Sequence, residues 1–272
     1  WEMRSGALAL VPVGCACSAL GLLLIKSAAP AGCLSPRWAL GFLLLGVCAT
    51  AVDVVVLKLL PLSIIAPFAG LTIVFSMLIA STGVLFPPEL MSQRDLLYTL
   101  VVVLGLAIIG ASSPPSGDTP SVTEITHALS SGTFVLPALA TLAAAAWQTA
   151  TGRAPCAISS GSNMAVVQSA YLAASCATIS QMMLKLAATA VSESAWAALA
   201  AALVGLGTTA PIHLHLLGQT LAGGAASLAV PSYQTLLILL SAAAGGVLFG
   251  EFASLSTLGC VVYASGLCVA TG

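Results

Sequence analysis

Apolar runs alternate with short polar or Pro/Gly-rich breaks along the whole chain. A helix that crosses a bilayer needs about 20 largely apolar residues. Runs of that order fall at 6–28, 38–60, 62–86, 96–111, 132–151, 165–190, 195–217, 225–249 and 255–271. The breaks hold residues that end helices: Pro30, Gly32 and Pro36 after the first run, Pro61 after the second, and Pro87-Pro88-Glu89 after the third. Ser92, with Asp95 three residues on, resembles a capping box ahead of the fourth. The longest polar stretch, 112–131, carries Pro114, Pro115, Gly117, Asp118 and Pro120 and reads as a flexible loop. The Ser/Gly-rich 152–163 reads as a second loop, and 218–224 as a short Gly-rich turn. The pattern predicts an all-α bundle of about nine transmembrane helices.

A repeat lies beneath this pattern. The segment 63–89 opens on Ser63 and Pro67, runs through Gly-Val-Leu-Phe at 83–86 and closes on Glu89. The segment 227–251 does the same with Ser227, Pro231, Gly-Val-Leu-Phe at 246–249 and Glu251. Cys17 precedes Lys26 by the same interval that separates Cys176 from Lys185. All these matches share an offset of about 160 residues, the mark of an internal duplication. It divides the chain into a first repeat over 1–111, a connecting region over 112–164 and a second repeat over 165–272. Equivalent points are five spans apart, an odd number, so the copies are expected to enter the membrane from opposite sides. That is the inverted-topology architecture of many secondary transporters.

Composition narrows the class. The chain is 59% hydrophobic and 6% charged, with seven Lys and Arg and eight Asp and Glu among 272 residues. Soluble domains carry about 25% charged residues, so an integral, multi-pass membrane protein is expected. The net charge of -1 and the lack of a basic run exclude a nucleic-acid partner. Positive charges do not decide orientation: Arg4, Lys58 and Lys185 fall on one side and Lys26, Arg37, Arg94 and Arg153 on the other. Most of the eight cysteines lie inside apolar runs, where a thiol is a small hydrophobe, so no disulfide framework is expected. Trp1 rather than Met opens the sequence, which leaves room for a targeting segment upstream. No Ser/His/Asp set, nucleophile elbow, zinc-protease or nucleotide-binding pattern occurs, so neither an enzyme nor a cofactor is expected.

The polar residues inside the spans are the candidate site. Asp53 is the acid set deepest in a span, where an ionisable group is by default functional; its alternative is an ion pair that holds helices together. Lys26 and Lys185 stand near span ends, as interface anchors or as pairing and gating groups. Gln181 stands four residues before Lys185 as a lumen-facing polar group. His213 and His215 follow Pro211 and point about 200° apart on a helix, so they cannot share one ion unless Pro211 unwinds the segment, and one of them is expected to face the cavity. Pro67 and Pro231 each leave a carbonyl one turn earlier without its donor, or else simply start their helices. In a membrane such a break is tolerated against protein or a water-filled cavity. Ser63, Ser227, Tyr233 and Gln234 surround the two prolines. Gly105, Gly110, Gly205 and Gly207 are expected at close helix contacts.

Several of these stretches resemble the drug/metabolite transporter superfamily, and within it the NIPA-type magnesium transporters. They are Pro61-Leu-Ser-Ile-Ile-Ala-Pro67, the Gly-Val-Leu-Phe runs with their following Glu, the Val-Pro231-Ser-Tyr233 region, and the run from Cys176 to Lys185. In span 2 the family's Gly-Glu pair is replaced by Ala49-Thr50, with Asp53 one turn on. The family's Leu-Asn-Lys before span 8 stands here as Leu217-Gly218-Gln219. The resemblance implies a transporter of Mg²⁺ or another divalent cation, with Asp53 as the metal-facing charge. A metabolite or drug exporter of the same fold is the alternative, with Lys26, Lys185 or a histidine contacting the substrate. A non-transporting membrane scaffold is the third reading. The expected partners are the lipid bilayer and a small inorganic cation or small-molecule substrate, with a homo-oligomer left open.

Overall fold

The structure is a computed structural model. It describes residues 2–28, 35–59, 70–83, 120–151, 163–223, 226–250 and 255–271, with isolated residues between 65 and 109 and at 252. Among the described residues all regular structure is helical, with no strand. Among the described residues five helices are long and apolar enough to cross a membrane, over Leu10–Ala28, Pro36–Leu57, Gly132–Thr151, Trp196–Ala222 and Leu228–Leu248. The chain divides by its internal contacts into two units, Trp1–Pro115 with Ser254–Gly272, and Ser116–Ala253.

In the first unit, α1 spans Glu2–Ala28. A second helix begins as α2 at Pro36–Phe42, passes through a π-helical segment at Leu43–Ala49 and ends as α3 at Thr50–Leu59. Its start is set locally. Ser35 caps the helix by accepting the Trp38 amide at 3.2 Å, and Pro36 occupies a first-turn position that needs no donor. The helix α4 covers Gly70–Ser81. A hydrophobic cluster of Val11, Cys15 and Val56 packs with Val52, Ile65, Phe68, Leu71 and Phe75. The crossing of α1 and α2 depends on two glycines. A methyl group at Gly21 would lie 2.9 Å from the Gly41 carbonyl oxygen, and one at Gly41 would lie 2.8 Å from that of Gly21. Without a hydrophobic drive in lipid, helices gain from such close backbone approach.

The second unit opens with α5, Val122–Ser130, inside the stretch read as a flexible loop. That expectation is corrected. Ser121 and Glu124 form a complete capping box, and Val122, Ile125 and Leu129 bury one face. Glu193 reinforces the same end, its carboxylate accepting the Val122 amide at 3.2 Å. Then follow α6 (Gly132–Thr151), α7 (Asn163–Ser192), α8 (Trp196–Gly223) and α9 (Ala226–Ala243). The α9 helix continues π-helically over Ala244–Leu248. The turn expected at 218–224 is helical through Gly223, a second correction. Gly218 has open space around it, and neither it nor Gly223 is enough to stop a helix held by packing on α7.

At the centre of this unit is α7. It packs on α8 most extensively, then on α9 and α6. Its own polar content keeps it out of the set of apolar spans, although it is the longest helix described. The helices around it explain how it tolerates those groups. Gly205 meets α7, since a methyl there would lie 2.8 Å from the Met183 sulfur, whereas Gly207 faces open space and makes no close contact. The two Gly-Val-Leu-Phe copies differ in backbone. In the first, α4 ends at Ser81 and Gly83 has φ 70°; in the second, helix persists through Leu248 and Gly250 takes φ 66°.

The helix α10, Thr257–Thr271, belongs to the first unit. A methyl at Gly266 would lie 2.8 Å from Ile109 and 3.1 Å from the Gly105 carbonyl oxygen. Gly105 thus takes part in a close approach, and Gly110 lies outside the described residues.

Candidate functional site

Two polar regions interrupt the apolar interior, one in each unit. In the first unit Asp53 sits on α3, half-buried, one turn past the π-helical segment. Such segments widen a helix locally and recur at functional sites. The Cys15 side chain meets Thr72 and lies within electrostatic reach of Asp53. Asp53 has no hydrogen-bond or ion-pair partner among the described residues. Ser76, buried on α4 one turn beyond Thr72, has no partner for its hydroxyl there either. No group of three or more His, Cys, Asp or Glu gathers there or elsewhere among the described residues. A cation meeting Asp53 would therefore keep much of its water, as Mg²⁺ does in most of its sites.

In the second unit the polar groups follow α7. On the side toward α9, Ser241 donates to the Gln181 Oε1 at 2.6 Å and touches the Thr178 hydroxyl at 3.2 Å. One turn past Gln181, Lys185 is only 3% exposed, and its Nζ lies 4.7 Å from the centre of the Phe249 ring. Phe249 is positioned by the π-helical end of α9, where a methyl at Gly246 would overlap the Phe252 ring. On the side toward α8 and α6, Ser180 donates to Thr209 at 2.8 Å. Gln148 donates to Ser169 at 2.6 Å and to Gln219 at 3.2 Å. From Ser169 to Lys185 the polar positions climb about 24 Å along α7, most of the roughly 30 Å hydrocarbon thickness.

The histidines part as their spacing requires. His213 Nε2 is 2.8 Å from the Tyr233 hydroxyl, with the two rings stacked. His215 turns to Gln219, at 3.0 Å. Beside Tyr233, Gln234 is 4% exposed, and its Oε1 has no hydrogen-bond partner among the described residues. Pro231 lies inside α9 rather than at its start, and Ser227 lies in the preceding turn with its side chain outside the described residues. Lys26 is half-buried in the last turn of α1. Ser63 and Pro67 lie outside the described residues, as do the capping pair Ser92 and Asp95.

The structure thus gathers Gln181 with Lys185 and His213 with Tyr233, and places Asp53 and Lys26 in the other unit. Thr178, Ser241, Ser180, Thr209, Gln148 and Ser169 went unnoticed in the sequence. Hydroxyls in helices usually bond their own backbone one turn back, as Thr178 also does to Ala174. Sequence alone does not separate those from hydroxyls that reach a second helix. The chain matches no family model, no curated protein and no solved structure.

Proposed function

We propose that the protein is a multi-pass membrane transporter that moves Mg²⁺ or another divalent cation past Asp53. The observation that carries this reading is a carboxylate on a membrane-length helix with no cationic partner among the described residues. A charge kept at that depth without a partner is expensive, and a passing cation is the partner that accounts for it. Cys15 lies within electrostatic reach of Asp53 and meets Thr72, which puts a thiol and a hydroxyl on that side of the carboxylate. The inverted repeat belongs to the same reading, as does the resemblance to NIPA-type transporters in the stretches around Pro61, Pro231 and Lys185.

The test is uptake into proteoliposomes that hold a magnesium-sensitive dye. The full chain is expected to raise internal Mg²⁺ down its gradient, and Asp53→Asn to cut the rate by about tenfold or more. Unchanged uptake in Asp53→Asn would remove Asp53 from the path.

A second reading, a metabolite exporter, is favoured by the second unit. There the Lys185 Nζ, the Gln181 amide and several hydroxyls are strung along α7 inside the helices, groups suited to a polar or anionic organic solute. Flux of labelled organic anions without flux of Mg²⁺ would select it. A scaffold predicts neither.

A further inference from the structure

We infer that the His213–Tyr233 pair is a proton-binding switch between α8 and α9, and hence that a proton is the ion that drives transport. The last step rests on the transporter reading; the switch itself does not. The pair joins two helices that each pack chiefly on α7 and only lightly on one another. Its 2.8 Å hydrogen bond and stacked rings, with centroids 5.8 Å apart, tie them at this level. Each partner stands two residues after a proline inside its own helix, His213 after Pro211 and Tyr233 after Pro231. Each proline withdraws a backbone donor from the turn before it, so both helices are softened where the side chains meet.

Proton binding changes what this bond can be. With Nε2 unprotonated, the Tyr233 hydroxyl donates to it. Once Nε2 takes a proton from water it becomes a donor, and the phenol oxygen must accept instead. The phenol hydrogen must then turn to another acceptor, and the imidazole carries a charge that the hydrocarbon region does not tolerate without water or a counter-charge. The protonated pair therefore favours an arrangement in which α8 and α9 part and water reaches His213. The neutral pair favours the closed one.

The neighbouring titratable groups leave His213 as the group that responds. Along α9 there is only Tyr233, and along α6 none. On α8 itself His215 is turned away to Gln219. Along α7 are Tyr171, which is exposed, the buried Cys176 thiol and Lys185, whose Nζ lies over the Phe249 ring rather than at His213. Histidine is also the side chain whose ordinary titration spans the physiological range.

The experiment is amide hydrogen exchange of the full chain in lipid nanodiscs between about pH 8 and about pH 4.5, corrected for intrinsic rates. Segments 205–215 and 227–237 are expected to exchange about tenfold faster at the acid end, within the ordinary scale of coupling. His213→Gln, which keeps a hydrogen-bonding side chain but does not titrate there, is expected to abolish the response. His215→Gln is expected to keep it. No response in the native protein, or the same response in His213→Gln, would overturn the inference. A second readout needs no change at the pair. The chain has three histidines, so ¹⁵N-labelled histidine spectra of the double variant His127→Gln/His215→Gln report His213 alone. A His213 signal that never titrates over that range overturns the switch. If the switch operates but vesicles pass no solute, the switch stands and the transporter reading falls. If solute flux is present and indifferent to an imposed pH gradient, the proton is not the driving ion.

Discussion

Ser241 of α9 donates its hydroxyl to Gln181 of α7 at 2.6 Å, across sixty residues of sequence. Ser241 is fully buried and also touches Thr178 at 3.2 Å. This small knot holds α9 on α7 where the chain around it is nearly all aliphatic.

Ser241→Ala should leave the oxygen of the half-buried Gln181 without this donor. A stranded buried acceptor costs about 1–3 kcal/mol. Thermal unfolding in detergent should show a lowered midpoint, and Ser241→Thr, which keeps the hydroxyl, should recover part of it. An unchanged midpoint in Ser241→Ala would show that water replaces the serine.

Gly41→Ala should be more harmful than its size suggests. The added methyl would lie 2.8 Å from the Gly21 carbonyl oxygen and 2.9 Å from Ile25. Overpacking of this kind costs about 1–3 kcal/mol. Gly207→Ala, where nothing lies within 4 Å, serves as the neutral comparison in the same unfolding assay.

Asp53→Asn separates a functional charge from a structural one. Breaking a buried ion pair costs about 3–5 kcal/mol, but Asp53 has no such partner among the described residues. Its neutral variant should therefore unfold no earlier than the native chain while losing Mg²⁺ uptake. Early unfolding together with lost uptake would point instead to a structural pair.

Acid should loosen the start of α5. The Ser121 amide and hydroxyl both donate to the Glu124 carboxylate and hold its pKa below the ordinary 4.5. A carboxyl lowered in the folded state stabilises above its unfolded value, and that contribution is lost as pH falls through the folded one. Amide exchange over 121–125 should rise on acidification below about pH 4.5. In Glu124→Gln the slope should flatten. Equal slopes in both would mean the capping box is not what responds.

Topology is open to a direct check. If the repeats are inverted, reporter tags placed in 29–34 and in 193–195 should be accessible from opposite faces of the membrane. Accessibility from the same face would make the duplication parallel.

The all-helical class and most helix positions were legible in the sequence, because in apolar surroundings the helix is the one local structure that bonds all its own backbone. The run at 132–151 is a helix over the same bounds, Gly132–Thr151. Local signals failed where two of them competed. Over 112–131 the prolines and glycines point to a loop while Ser121 and Glu124 cap a helix, and the helix α5 forms. Glycines at 218 and 223 read as a turn, yet α8 runs on because it is packed along α7. The site divides in the same way. That His213 and His215 point apart follows from helix geometry alone. That His213 finds Tyr233, that Lys185 is buried against Phe249, and that Gln181 is met by Ser241 was decided only by tertiary packing. Each partner lies on a different helix, at a height set by how far one helix slides along another. That slide is fixed by the summed fit of aliphatic and small side chains, such as Gly205 against Met183, and no short motif encodes it.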